Sequence, residues 1–516
     1  MSGTYFLLSN IERMLRDQNP LPGLVANRLG LGADRIRDVV ILREALDARK
    51  KDRIHHVYTL AVRLDDDSIP VGCKECIFPE LNFDAGDFQP VDRPIIVGLG
   101  PAGMFCALAL ARKGYRPLIL EQGKPAGDRL GDVRAIAEAG VLDEYSNVLF
   151  GEGGAGTFSD GKLTARNQSA ETDFFHRTLI AFGADPRIGY QAKPHLGSDQ
   201  LRRIIPAITG YLVAQGVEIR YGWNVSGIRR GAGGRVAVLS DKGECSSDCV
   251  ILAVGHSADM LYKSLFDARV AMEKKPFAVG VRVEHPRAFI DEWQYGKGFD
   301  TALTGPADYK LTANMDDGRG VYSFCVCPGG EIINASSRPG HVCVNGMSWS
   351  SRGGIFTNGA IVVTVLPSDL PDHPLAGLEF RDRMEKACHA AGPLLAPAQD
   401  LKDFMAGRKG KAHKSSYRPG TFDADLNALL PEFIVNGLKF GFARFDRQIR
   451  GFIQNGVLVA PETGTSSPVR ILRDAATFQS INMPGVFPIG EGAGYAGGIV
   501  SSAADGIRLA LRFKRR

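Results

Sequence analysis

A glycine pattern, Gly98-Leu-Gly100-Pro-Ala-Gly103, follows directly on the apolar run Pro94-Ile-Ile-Val97 and opens an alanine-rich stretch. Strand, glycine turn and helix in that order begin a βαβ unit, which points to an α/β fold with a Rossmann-type half. Each glycine has its own physical reason. Gly98 permits the tight turn, Gly100 lets backbone approach a pyrophosphate at the positive helix end, and Gly103 lets helix and strand pack closely. Pro101 and Ala102 start the helix, which the pattern carries to about Lys113 with Gly114 as its stop. The next strand, residues 116 to 120, delivers Glu121 where a carboxylate can accept hydrogen bonds from a ribose diol; an acid there disfavours a 2′-phosphate.

Two distant stretches share this character. In Asp248-Cys-Val-Ile-Leu-Ala253-Val-Gly255 a strand ends in a small residue and a glycine, which lets the chain pass close to a ligand. Near the C-terminus, Gly485-Val-Phe-Pro-Ile-Gly490-Glu491-Gly-Ala-Gly-Tyr-Ala-Gly497-Gly498-Ile499 is a strand, a glycine loop and the start of a small-residue helix, whose N-terminus beside the first glycine loop can hydrogen-bond another part of the same large ligand. Glycine makes up 61 of 516 residues, about 12% against a usual ~7%, and the excess sits in such loops.

The three-part pattern resembles the FAD-binding domain of the glutathione-reductase-like flavoproteins. That resemblance implies that the first loop holds the pyrophosphate and Glu121 the adenosine ribose. It also implies that the late loop meets the ribityl chain and flavin, with Glu491 where that class usually has Asp, and that Val225 gives a backbone contact to adenine. More narrowly, Gly151-Glu-Gly153-Gly154-Ala-Gly156-Thr157-Phe-Ser159-Asp-Gly-Lys162, Lys275-Pro-Phe-Ala-Val-Gly-Val-Arg-Val-Glu-His-Pro286, Tyr322-Ser-Phe-Cys-Val-Cys-Pro-Gly-Gly330, Val344-Asn-Gly-Met-Ser348 and Thr465-Ser-Ser-Pro-Val-Arg470 resemble a family of bacterial FAD-dependent dehydrogenases, mostly without assigned substrates. The similarity covers nearly the whole chain and departs from the family at Gly464 and Lys414.

The length suggests several folding units. An α+β unit spans 1–90, with a helix-like stretch at 10 to 17 and strands at 39 to 42 and 56 to 62. A Rossmann-type FAD domain begins over 91–263, a β-rich α+β substrate domain is inserted over 264–450, and the FAD domain is completed over 451–516. Residues 83 to 93 read as a linker, 198 to 215 and 380 to 391 as helices. Lys plus Arg exceed Asp plus Glu only by 62 to 57, too little to make nucleic acid or an anionic membrane the main partner, and no apolar run approaches the ~20 residues of a membrane span. The turn with Arg49, Lys50, Lys51 and Arg53 lies in a segment, 1 to 93, with 13 basic and 15 acidic residues, which favours a solvated hairpin. Nine cysteines without an evenly spaced framework, and no signal-peptide-like start, point to a reducing cytoplasm.

Backbone N–H groups of the 151 to 163 loop can donate to flavin or pyrophosphate, and Lys162 is a candidate to stabilise reduced flavin. The run Gly407-Arg-Lys-Gly-Lys-Ala-His413-Lys-Ser-Ser-Tyr417 offers His413 and Tyr417 as acid or base for an anionic substrate, against the alternative of a basic surface loop. Alternation along a strand would put Cys325 and Cys327 on one face; Cys73 and Cys76 form a CxxC, and either pair is a redox candidate. No metal motif occurs among the ten histidines. No second glycine fingerprint marks an NAD(P)H domain, so NAD(P)H would dock transiently or electrons would come from another donor. The favoured reading is an FAD-dependent oxidoreductase passing a hydride between flavin N5 and a small-molecule substrate. The alternatives are an NAD(P)H-dependent flavin monooxygenase and a flavin-carrying RNA-binding or redox-sensing protein.

Overall fold

A computed structural model describes residues 3–164, 169–389 and 394–516. Five short parallel strands form its centre in the spatial order Val486–Pro488, Val250–Leu252, Ile95–Val97, Leu118–Glu121, Glu218–Tyr221. Strands from three distant stretches are thus neighbours, and all three end toward one edge, where the crevice of an open parallel sheet lies. Helix Pro101–Arg112, buried over nearly its full length, packs on one face of this sheet beside helix Ile499–Leu511. Small residues make the contact: a Cβ on Gly506 would stand 2.2 Å from the Ala102 carbonyl oxygen. The other face packs on the antiparallel meander Val225–Arg230, Val236–Ser240, Gly243–Ser247 and on helix Asp259–Asp267.

A seven-stranded sheet follows in the order Thr312–Asn314, Gly320–Pro328, Phe356–Val365, Phe277–Pro286, Val457–Glu462, Ala396–Asp400, Thr421–Asp423. Its central pair runs in unbroken register from Phe277 opposite Val365 to Pro286 opposite Phe356. Helix Glu432–Gln448 covers it with Leu438, Phe442 and Phe445. The chain enters and leaves this region through one antiparallel pair, Met272–Lys274 with Val469–Ile471. The boundary expected at 450 therefore falls too early, because Val457–Glu462 pairs with Phe277–Pro286.

The N-terminal sheet has the order Ile36–Asp47, His55–Leu64, Phe6–Met14, Lys74–Glu75, with helix Leu21–Leu29 packed on it. Residues 10 to 14 are strand rather than helix. Phe6 and Leu8 alternate inward, and a bulge before Ile11 keeps it inward as well, so the apolar spacing imitates a helical period. Residues 83 to 93 are not a free linker: buried Lys113 donates to the carbonyls of Ala85 and Phe513, and Phe88 packs edge-on against Phe513. The stretch read as a helix over 380 to 391 is helix Ala376–Ala387, and positions 390 and 391 lie outside the described residues. Among the described residues, no helix is long and apolar enough to cross a membrane.

Candidate functional site

A cavity of about 830 Å³ opens at the ends of the central strands and extends to the seven-stranded sheet. Gly98 has φ +100, and a Cβ there would stand 2.4 Å from the Ala253 carbonyl oxygen; one on Gly103 would stand 2.1 Å from the Gly98 carbonyl oxygen. These two glycines close the turn against its neighbours. Gly100 differs, since a Cβ would meet only the Gly154 Cα at 3.9 Å, and it faces the cavity. Pro101 follows at the first helical position with no side-chain cap. The first amides of the helix are therefore available to an anion.

Glu121 is buried and accepts three backbone amides, from Leu99 at 2.8 Å, Gly123 at 2.9 Å and Gly151 at 3.0 Å. It both lines the cavity and fastens the first glycine loop to the loop at 151. That second loop turns over Gly154, φ +60, into the short 3-10 helix Gly154–Phe158. Gly153 and Thr157 support it from behind: the Gly153 amide donates to the Leu99 carbonyl at 3.0 Å, and Thr157 Oγ1 donates to the Glu152 carbonyl at 2.8 Å. Gly154, Gly156 and Ser159 line the cavity.

Arg129, which sequence reasoning passed over, is fully buried and donates to the carbonyls of Asn147, Val148, Glu152 and Gly154 at 2.6 to 2.8 Å. Burial pulls its guanidinium down to about 9. In sequence it is one more arginine of a polar helix, and nothing local marks it.

Val225, Ala253, Gly255, Glu491, Gly498 and Ile499 complete the wall. Glu491 accepts the Gly498 amide at 3.3 Å and lies 3.6 Å from His256. Burial raises its carboxyl to about 7, and burial together with the Arg381 charge lowers His256 to about 3. Helix Ile499–Leu511 also starts without a side-chain cap, and there is open space where a Cβ on Gly497 or Gly498 would stand. Gly490 instead serves packing: its amide donates to Asp505 at 2.7 Å, and a Cβ would meet that of Ala102 at 2.7 Å. Of the expected cofactor contacts, Gly103, Gly153, Thr157, Gly490 and Gly497 thus stand outside the lining of the cavity and the others form it.

The catalytic candidates fare differently. Lys162 donates to the Val326 carbonyl and lies 3.8 Å from Asp160, outside the lining of the cavity. Asp160 in turn accepts Ser348 Oγ at 2.5 Å, and Ser348 meets His195 at 2.9 Å. His413 is 74% exposed and bound to Asp400 at 2.6 Å. Tyr417 is buried and donates to the Leu394 carbonyl at 2.7 Å, with Asn334 donating to its oxygen at 2.8 Å. Neither reaches the cavity, because the loop carrying them packs on the far strands Ala396–Asp400 and Thr421–Asp423. In the N-terminal hairpin, Arg49 and Arg53 pair with Asp47 and Glu12.

The far wall carries Phe324, Cys325, Asn345, Gly464 and Thr465. Uncapped helix starts, open glycine positions and the carboxylates of Glu121 and Glu491 around one cavity fit a dinucleotide: amides for its phosphates, carboxylates for its hydroxyls.

Residues 276–465 match the family model described as FAD-dependent protein, C-terminal domain-like, and residues 11–63 match a domain of unknown function. An uncharacterized protein of Clostridium beijerinckii is 37% identical over 519 residues, 98% of this chain and 97% of that protein. Notoamide E oxidase of Aspergillus sp. is 28% identical over 199 residues, 34% of this chain and 40% of the oxidase. Among solved structures, CtdE in complex with FAD aligns over 82% of both chains at 13% identity and a TM-score of 0.28. Lactococcus lactis thioredoxin reductase aligns over 32% of this chain and 35% of its own at 18% identity and a TM-score of 0.19. The family match makes FAD the cofactor and supports an FAD-dependent oxidoreductase-type function; the fold is mixed α/β.

Proposed function

We propose that this chain, which belongs to the same family as the Clostridium beijerinckii protein, moves a hydride between FAD and a small-molecule substrate held against the seven-stranded sheet. The observation that carries the reading is the continuity of one cavity from Gly100, Glu121 and Gly498 to Phe324, Asn345 and Thr465. Bound there, FAD supplies the two-electron chemistry, with N5 as the hydride acceptor or donor.

The chain's own residues bind and orient. The backbone amides of Gly100 and Ala102, with Pro101 between them lacking one, and those at the start of helix Ile499–Leu511 would take the pyrophosphate. Glu121 keeps both oxygens ordered toward the ribose through its three amide donors. Glu491, neutral or ionised near pH 7 because burial lifts its carboxyl, takes a hydroxyl of the ribityl chain. The FAD part then consists of the separated segments around the five-stranded sheet, and the seven-stranded part supplies the substrate face. A nicotinamide donor would dock transiently at that face. Nine free cysteines support a reducing, cytoplasmic setting.

Anaerobic titration with NADPH, then NADH, tests the reading. Bleaching of oxidised-flavin absorbance, slowed when the transferable hydrogen of the nicotinamide is deuterium, supports hydride transfer. A nicotinamide that bleaches FAD at the same rate with either isotope, under conditions where reduction itself is observed, overturns it. If neither nicotinamide reacts, the same isotope comparison applies to the substrate that does reduce the FAD.

A further inference from the structure

Strand Gly320–Pro328 contains Cys325-Val-Cys327. On a regular strand, alternate residues lie ~6.6 Å apart, farther than the ~3.5–4.5 Å between Cβ atoms that a disulfide requires. The strand is not regular here. Its register with Phe356–Val365 slips between Phe324 and Cys327, and Cys325 takes φ +44, in the left-handed region. The bulge turns Cys325 into the cavity wall while Cys327 stays buried behind it. Cys327 Sγ donates to the Cys325 carbonyl at 3.3 Å.

Two cations hold this turn. Arg282, fully buried and paired with Glu462 at 3.2 Å, donates to the Cys325 carbonyl and lies 3.8 Å from Cys327 Sγ. Lys162 donates to the carbonyl of Val326 between the two cysteines. The thiols are unequal as a result. The Cys327 side chain beside it, together with the charges of Arg282 and Lys162 and against burial, holds the Cys325 thiol below its ordinary range. Burial and the neighbouring Cys325 keep Cys327 protonated. One cysteine at the cavity wall with a second, buried cysteine behind it is the arrangement of an attacking and a resolving sulfur.

We propose that Cys325 and Cys327 are a redox-active pair that exchanges two electrons with the FAD in the adjoining cavity, a second two-electron centre of the protein. This rests on the placement of FAD proposed above. In the forward step the anionic reduced flavin gives up two electrons and its N5 hydrogen as a proton. The Sγ–Sγ bond of the disulfide breaks, Cys327 takes the proton, and Cys325 is left as the thiolate that Arg282 and Lys162 stabilise. Oxidised FAD and the Cys325 thiolate with the Cys327 thiol would be the products, and the reverse step closes the disulfide.

The test uses holoprotein oxidised with diamide and then given a single two-electron reduction by dithionite without oxygen. In the wild type, bleached FAD should regain its colour as electrons pass to the disulfide, and alkylation with mass spectrometry should find new free thiols at both positions. In Cys325→Ser, and in Cys327→Ala as a variant at the buried position, FAD should bind and stay bleached. A wild type whose FAD stays bleached while the disulfide persists overturns the proposal, as does failure of diamide to remove two hydrogens from the peptide containing both cysteines. Protein that binds FAD with Gly100 or Gly498 made bulky overturns the placement of the cofactor instead, and the peptide mass then reports on the pair alone.

Discussion

The Glu121 carboxylate accepts the amide hydrogen of Leu99 at 2.8 Å, and so an acid at the end of one strand fixes the glycine turn at the end of the strand beside it. With the Gly123 and Gly151 amides it joins three loops at one buried point. Glu121→Ala strands three amide donors. Charge-assisted bonds contribute ~1.5–3 kcal/mol each and are not additive, so a loss of roughly 3–5 kcal/mol is expected. Glu121→Gln, with a single acceptor oxygen, should fall between. Thermal melts of protein stripped of FAD check this, and equal melting temperatures for the wild type and the alanine variant would remove Glu121 from the scaffold.

Gly100 and Gly103 should respond in opposite ways to the same change. Gly100→Val places its methyl groups in the cavity, where the nearest wall is Gly154 at 3.9 Å, so the fold should persist while FAD is lost. Gly103→Val forces a side chain to within 2.1 Å of the Gly98 carbonyl oxygen, which overpacking of this severity does not tolerate. Circular dichroism separates folded, colourless protein from aggregated protein. Stoichiometric FAD on folded Gly100→Val would displace the pyrophosphate from that turn.

The strand-turn-helix at 94 to 112 was legible because every local rule agrees there: an apolar strand, special glycines and a small-residue helix. The C-terminal glycine loop was legible for the same reason. Three things were not. The strand Phe6–Met14 imitates a helical period because one bulge resets its alternation. The bulge at Cys325 defeats alternation again, and this time the misplaced residue is a wall of the cavity. Arg129 and the Arg282–Glu462 pair are buried ions whose partners are backbone carbonyls or residues up to 180 positions away, and a sequence window holds no trace of that pairing. His413 and Tyr417 lie away from the cavity lining for a related reason: a run dense in donors says nothing about the direction it faces.

Those two residues give a direct contrast. His413→Ala removes an exposed ring bound to Asp400, and Tyr417→Phe removes a buried hydroxyl that meets Leu394 and Asn334. The first should change stability little. The second should cost about 1–2 kcal/mol, the ordinary loss for a buried hydrogen-bonded group. Neither should alter the rate at which FAD is reduced, and a tenfold slower reduction in either variant would return it to the reaction.

Acid sensitivity follows from two buried imidazoles. Burial lowers His285 to about 4, and burial with the Arg352 charge lowers His195 to about 4. Unfolded, both take a proton near pH 6.5. Between pH 6.5 and 4 the unfolded chain therefore binds protons that the folded chain does not, and stability falls as pH falls through that window, by at most ~3 kcal/mol per histidine. Glu491 acts in the opposite sense. Its carboxyl, near 4.5 when unfolded and about 7 in the fold, stays protonated where the unfolded chain has ionised, so its contribution is lost as pH rises from 4.5 to 7. His195→Gln should flatten the acid side of a plot of unfolding free energy against pH in protein stripped of FAD, and Glu491→Gln should raise its neutral side. Adding FAD should change the second effect and leave the first, because Glu491 lines the cavity and His195 stands behind it against Ser348. Urea titrations across pH 4.5 to 7.5 read both slopes, and a His195→Gln curve parallel to the wild type over the acid range would show that this imidazole titrates alike in both states.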